Sequence, residues 1–181
     1  RIISQHLTVI DESIKNGSFF QNETFLKLAE HVEKNKSKLH LIGLLTSGTV
    51  HASLGHLLSI IRYLKQKEIS NRALLHLFTD GKDSGKKESL NLIDKVEEEI
   101  SGSGIKIASL VGRDFAMDRT GNWKLTQKAY DLLARGLGEK VGDFKKTIEN
   151  LHSQGVNDET IPPLFKDEKG ESLKDVDLGF T

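Results

Sequence analysis

The chain has 181 residues, 36% of them hydrophobic and 29% charged, which is ordinary for a soluble globular protein and enough for one domain with its own core. Its 26 basic residues balance 26 acidic ones, so no global field recruits nucleic acid or an anionic membrane, and any anion site must be local. The absence of cysteine excludes a disulfide framework and thiolate metal sites and fits a reducing cytoplasm.

The first residue is Arg1 rather than methionine, which points to a processed or excised chain, and the N-terminus lacks the layout of a signal peptide. Apolar positions from Leu7 to Ile14 and from Phe25 to Val32 recur at helical spacing and predict two short helices. The compact apolar run from Leu39 to Leu45 suits a buried strand and is far too short to span a bilayer. Thr46-Ser47-Gly48-Thr49 then turns the chain, and Leu54, Leu57, Leu58, Ile61 and Leu64 mark an amphipathic helix over Ala52 to Lys67. A second strand reads from Ala73 to Phe78, followed by a polar loop from Thr79 to Ser84 and a helix carrying Leu90, Ile93, Val96 and Ile100. After the turn at Ser101-Gly102-Ser103-Gly104 come a third strand from Ile105 to Val111 and another polar loop. Helices follow from about Trp123 to Leu133 and from about Phe144 to His152. The tail from Gly155 to Thr181 holds both prolines, Pro162 and Pro163, and reads as an irregular approach to a last strand near Val176 to Phe180. Strand, loop and helix repeated three times predict an α/β fold: a three-layer α/β/α sandwich with a mostly parallel sheet, in one domain over residues 1–181.

Ligands of such sheets bind beyond the carboxyl ends of the strands. The first loop leaving those ends holds Thr46, Ser47, Gly48, Thr49 and His51; the second holds Asp80, Gly81, Lys82 and Asp83. The third holds Gly112, Arg113, Asp114, Asp118 and Arg119. Backbone N–H groups at a strand-to-helix turn favour phosphate, and arginine forks bind phosphate or carboxylate bidentately. The expected ligand is small, anionic and phosphorylated. Each residue also has a purely structural reading. His51 suits a helix start, Asp80-Gly81 is turn chemistry, Arg113 and Arg119 suit solvated loops, and Asp118 beside Arg119 suits a local ion pair. His40 and His76 lie within apolar strands and read as core or rim residues. No His-x-x-x-His or acidic metal cluster occurs, so no metal is expected within this chain.

Three stretches in order carry a resemblance: Gly43-Leu44-Leu45-Thr46-Ser47-Gly48-Thr49-Val50-His51, His76-Leu77-Phe78-Thr79-Asp80-Gly81-Lys82-Asp83, and Gly112-Arg113-Asp114-Phe115-Ala116-Met117-Asp118-Arg119 with Trp123. They resemble consecutive motifs of the cofactor-independent phosphoglycerate mutases, the third being the most specific. Arg1-Ile2 and Leu7-Thr8 resemble the segment after that family's serine-nucleophile motif, and Gly155-Val156-Asn157-Asp158-Glu159 resembles a later family element.

The resemblance implies an isomerase that interconverts 3-phosphoglycerate and 2-phosphoglycerate through a phosphoserine. An alkaline-phosphatase-like domain would hold that serine and two divalent metals, usually manganese. This chain is similar to the inserted substrate-binding domain, so the metal-bearing domain would be its partner within the polypeptide, and the isolated chain would catalyse nothing. By the same resemblance His51 lies near the phosphoryl group, and Asp83 hydrogen-bonds a glycerate hydroxyl and exchanges its proton. Lys82 stands where the family has arginine, and Arg113 and Arg119 hold carboxylate or phosphate. Ser47, Thr49 and Ser53 depart from the family's aspartate, glycine and histidine. Those departures leave open a non-catalytic phosphometabolite-binding module. A phosphopentomutase is disfavoured by Ala116-Met117-Asp118-Arg119.

Overall fold

The computed structural model describes residues 6–166 and the strand at 178–180. Seven helices and six strands are found among these residues. The strands are β1 (Leu39–Leu45), β2 (Ala73–Thr79), β3 (Lys106–Gly112), β4 (Glu139–Lys140), β5 (Leu164–Phe165) and β6 (Leu178–Phe180). They form one sheet in the order β4-β5-β3-β2-β1-β6. β1, β2, β3 and β6 run parallel to one another, and β5 is antiparallel to β3. The mostly parallel α/β sheet expected from the sequence is therefore present.

The helices are α1 (His6–Asn16), α2 (Glu23–Asn35), α3 (Leu54–Gln66), α4 (Ser89–Ile100), α5 (Arg113–Ala116), α6 (Trp123–Arg135) and α7 (Phe144–Ser153). Local chemistry fixes several of their ends. Asn22 accepts from Thr24 N (2.8 Å) at the start of α2, and Asp143 accepts from Lys145 N (2.9 Å) at the start of α7. Each satisfies a backbone donor that the first helical turn leaves free.

Burial explains why the sheet is covered on both sides. β2 is buried at every position from Ala73 to Leu77, where a strand with one wet face would alternate. Leu39, Leu41, Leu45, Leu75, Leu77 and Leu110 belong to the main core, together with Ile61, Leu64, Leu92, Ile93, Val96 and Ile148 from α3, α4 and α7. The alternate positions of the strands point the other way. There His40, His76 and Ser109 are buried, and they join three strands through His40 Nδ1–His76 Nε2 (2.8 Å) and His76 Nδ1–Ser109 Oγ (2.7 Å). The core reading of these two histidines is the one the structure supports.

Register positions the site. Leu45 pairs with Thr79 and Thr79 with Gly112, so the three parallel strands end level and release their loops side by side. Two expectations need correction. The loop after β3 begins with the one-turn helix α5, because Met117 N bonds Arg113 O (2.7 Å). The tail is not merely irregular: a 3-10 turn at Asp158–Thr160 packs beneath the strand ends, and β5 pairs with β3. Isolated two-residue strands such as β4 and β5 carry too little alternation to be legible in sequence. Arg1, Ile2 and Val176 lie outside the described residues.

Candidate functional site

Asp80 forms the centre of the strand-end cluster. Its carboxylate is buried and accepts from Thr46 Oγ1 in the first loop, from Arg113 Nη1 in the third, and from Lys82 N and Asp83 N (both 3.2 Å) in its own. Burial alone would raise its pKa, but the hydrogen bonds from Thr46, Arg113, Asp83 and Lys82 outweigh it and hold the carboxyl at about 2. Turn chemistry is thus only part of the role of Asp80: an anion here ties all three loops together. Its acceptor count was not legible from Asp80-Gly81, because two of its donors lie 33 or more residues away.

Asp83 is the next carboxylate outward. Its Oδ2 accepts from Arg113 Nη1 at 2.9 Å and lies 3.9 Å from His51 Nε2. Arg113 therefore bridges a buried and a partly buried carboxylate, with its own side chain largely buried. That geometry removes the solvated-loop reading of Arg113. His51 keeps about half of its side chain exposed, at 51%.

Lys82 points elsewhere. Its ammonium contacts the Asp114 carboxylate and lies 3.6 Å from Glu159 Oε2. The hydrogen bond to Asp114, with the negative charges of Asp114 and Glu159, raises its pKa. Arg119 is exposed and bonds to none of these groups. The Asp118–Arg119 ion pair does not form: Asp118 instead accepts from Thr120 Oγ1 (2.7 Å) and Asn122 N (2.6 Å), which shapes the loop and leaves the guanidinium of Arg119 unengaged. Of the five expected site residues, the structure joins His51, Asp83 and Arg113, sets Lys82 beside them on other partners, and leaves Arg119 at the rim.

Glu88 is a residue that sequence reasoning missed, and Glu159 was singled out only as part of a resembling stretch, with no place at the strand ends. Glu88 Oε2 accepts from Ser47 Oγ (2.8 Å) and Gly85 N (2.9 Å), closing the first loop onto the second. Gly48 sets the same approach from the main chain. A Cβ there would fall 2.5 Å from the Asp83 carbonyl oxygen and 2.9 Å from Asp83 Cβ. Gly48→Ala should therefore shift Asp83 and cost about 1–3 kcal/mol of stability. Equilibrium urea unfolding of the variant checks this, and an unchanged midpoint would show that the loop yields freely.

No three His, Asp or Glu side chains come together as a metal site among the described residues. The carboxylates at the strand ends are engaged by Arg113 and Lys82, so this donor set does not fit a divalent ion. What remains is a cluster of cations and carboxylates at the level ends of three parallel strands, the edge at which α/β sheets of this kind bind their ligands. The family described as "BPG-independent PGAM N-terminus" matches residues 10–179, and the chain belongs to it. It is 38% identical over 170 residues to the 2,3-bisphosphoglycerate-independent phosphoglycerate mutase of Acholeplasma laidlawii, covering 94% of this chain and 32% of that protein. The enzyme of the same name from Aster yellows witches'-broom phytoplasma is 37% identical over 171 residues, covering 94% of this chain and 33% of the relative. Among solved structures, Leishmania mexicana phosphoglycerate mutase at low cobalt concentration superposes with a TM-score of 0.89 at 26% identity, over 99% of this chain and 35% of that one. The chain thus spans about a third of the length of these relatives.

Proposed function

We propose that this chain is the substrate-binding domain of a cofactor-independent phosphoglycerate mutase, interconverting 3-phosphoglycerate and 2-phosphoglycerate in the cytoplasm as part of glycolysis and gluconeogenesis. The observation that carries the proposal is the Asp83 carboxylate, held by Arg113 at 2.9 Å and facing His51 at the level ends of the strands. In this reading an alkaline-phosphatase-like remainder of the polypeptide supplies the serine that is transiently phosphorylated. Two divalent ions, manganese in this proposal, belong to that remainder and supply charge stabilisation there.

The residues of this chain hold and turn the glycerate. Arg113 and Arg119 bind its carboxylate or phosphate, and Lys82 adds a point charge from beside them. Asp83 accepts the proton of whichever hydroxyl attacks and returns it to the oxygen that leaves, so one carboxylate serves both directions. His51, which approaches the same Asp83 oxygen as Arg113, contacts the phosphoryl group. Phosphoryl transfer depends chiefly on such positioning and charge stabilisation.

Arg119→Ala in the full-length gene product is the test. Arg119 is exposed, so stability should change by less than about 0.5 kcal/mol. Turnover of 3-phosphoglycerate with manganese and without bisphosphoglycerate should fall about 100-fold or more. Absence of turnover from the folded, metal-loaded parent would instead favour a non-catalytic phosphometabolite-binding module, with Ser47, Thr49 and Lys82 as the departures responsible.

A further inference from the structure

The segment carrying Asn157-Asp158-Glu159 supplies no group to the chemistry above, yet it is tied down from several sides. Asp158 is 1% exposed. Its Oδ1 accepts from Ser89 Oγ (2.6 Å) and pairs with His152 Nε2 (2.7 Å), while Oδ2 accepts from Ser89 N (2.8 Å). One carboxylate therefore binds the first residue of α4 to the last turn of α7. The main chain of the same residue reaches the site side: Asp158 O accepts from Thr79 Oγ1 (2.7 Å) at the end of β2, and Asp158 N donates to Lys86 O (2.8 Å).

Glu159 then lies directly against two loop glycines. A Cβ on Gly81 would meet Glu159 N at 2.8 Å, and one on Gly112 would meet Glu159 O at 2.4 Å. Gly81 also adopts φ +75, a conformation that side chains rarely accept. Gly112 N donates to Ile161 O (2.8 Å), so the segment is stitched to the end of β3 as well. From this position the Glu159 carboxylate faces Lys82 at 3.6 Å.

We propose that Asp158 is a positioning residue for the anion site: by anchoring the 158–161 main chain to α4 and α7, it sets the height of the Gly81 and Gly112 loops and so the placement of Lys82 relative to Arg113. This rests on the phosphoglycerate reading above. Removing the carboxylate frees the strut, and the loops lose a common stop rather than any contact with substrate. The loss should therefore appear in binding and depend on whether Lys82 is there to be misplaced.

A double-mutant cycle on the full-length protein tests it, with 3-phosphoglycerate affinity read by titration calorimetry and kinetics measured alongside. Asp158→Asn should raise Kd and KM about tenfold and leave kcat within about threefold. In a Lys82→Ala background the same substitution should change Kd by less than about twofold. Equal fold-losses of affinity in both backgrounds, or a fall in kcat at unchanged KM, would overturn the positioning role. Should Asp158→Asn not be recovered folded, Ser89→Ala removes one of the three bonds to the carboxylate without touching the main chain, and is read by the same cycle. A parent protein without mutase activity would overturn both this inference and the function it rests on; an active parent with additive losses overturns the strut alone.

Discussion

Acidification from pH 6.5 toward 3 should destabilise the chain by about 1.4 kcal/mol per pH unit, and His76→Gln should abolish most of that slope. His76 is 2% exposed, and burial first, then the neighbouring His40, lowers its pKa from 6.5 to about 3. Below pH 6.5 the unfolded chain binds a proton that the native imidazole refuses, so stability is full above that value and is lost as pH falls through the window. The loss accumulates across the whole window and is greatest at its acid end. Glutamine cannot titrate, although it sacrifices part of the hydrogen bonding to Ser109 Oγ and His40 Nδ1, so the variant starts lower at pH 7 and stays flatter. Urea unfolding at unit pH steps measures both slopes. Parallel lines for parent and variant would mean that the acid sensitivity lies elsewhere.

Asp80→Ala should cost about 3–5 kcal/mol at neutral pH. The substitution strands the largely buried Arg113 beside only one carboxylate and leaves Thr46 Oγ1, Lys82 N and Asp83 N without their acceptor. Removing one member of a buried pair is costly because the partner stays desolvated, whereas removing both is much less so. The double variant Asp80→Ala/Arg113→Met should therefore regain part of the loss in the same denaturation experiment. A double variant less stable than Asp80→Ala would contradict this account. Asp80 also adds a second acid phase: with its carboxyl held at about 2 against an ordinary 3.8, its contribution is present above 3.8 and disappears as pH falls toward 2.

Much of this was legible in the chain because the signals were local. The run from Leu39 to Leu45 became β1 with those bounds, and the stripe Leu54, Leu57, Leu58, Ile61, Leu64 became α3. The gathering of three polar loops was legible, since parallel topology brings such loops to one edge whatever they contain. What stayed hidden depends on long-range pairing. Nothing near Glu88 announces its bond to Ser47, and nothing near Asp158 announces Ser89, which is 69 residues away. The structural readings of Arg113 and of Asp118 with Arg119 failed for a related reason. Adjacency suggested that Asp118 and Arg119 would pair, but Asp118 satisfied its own loop backbone, and Arg113, read as a solvated loop residue, reached across to another strand end.

Gly48, Gly81 and Gly112 let the loops and the 158–161 segment meet main chain to main chain, with no side chain between them. Spacing fixed in this way is blind to the identity of the residues displayed on the loops. Drift at Ser47, Thr49 or Lys82 can alter what the site says to its ligand while its dimensions persist, whereas one added methyl at Gly112 would collide with Glu159 O at 2.4 Å. The dimensions of this site thus reside in residues that carry no functional group at all.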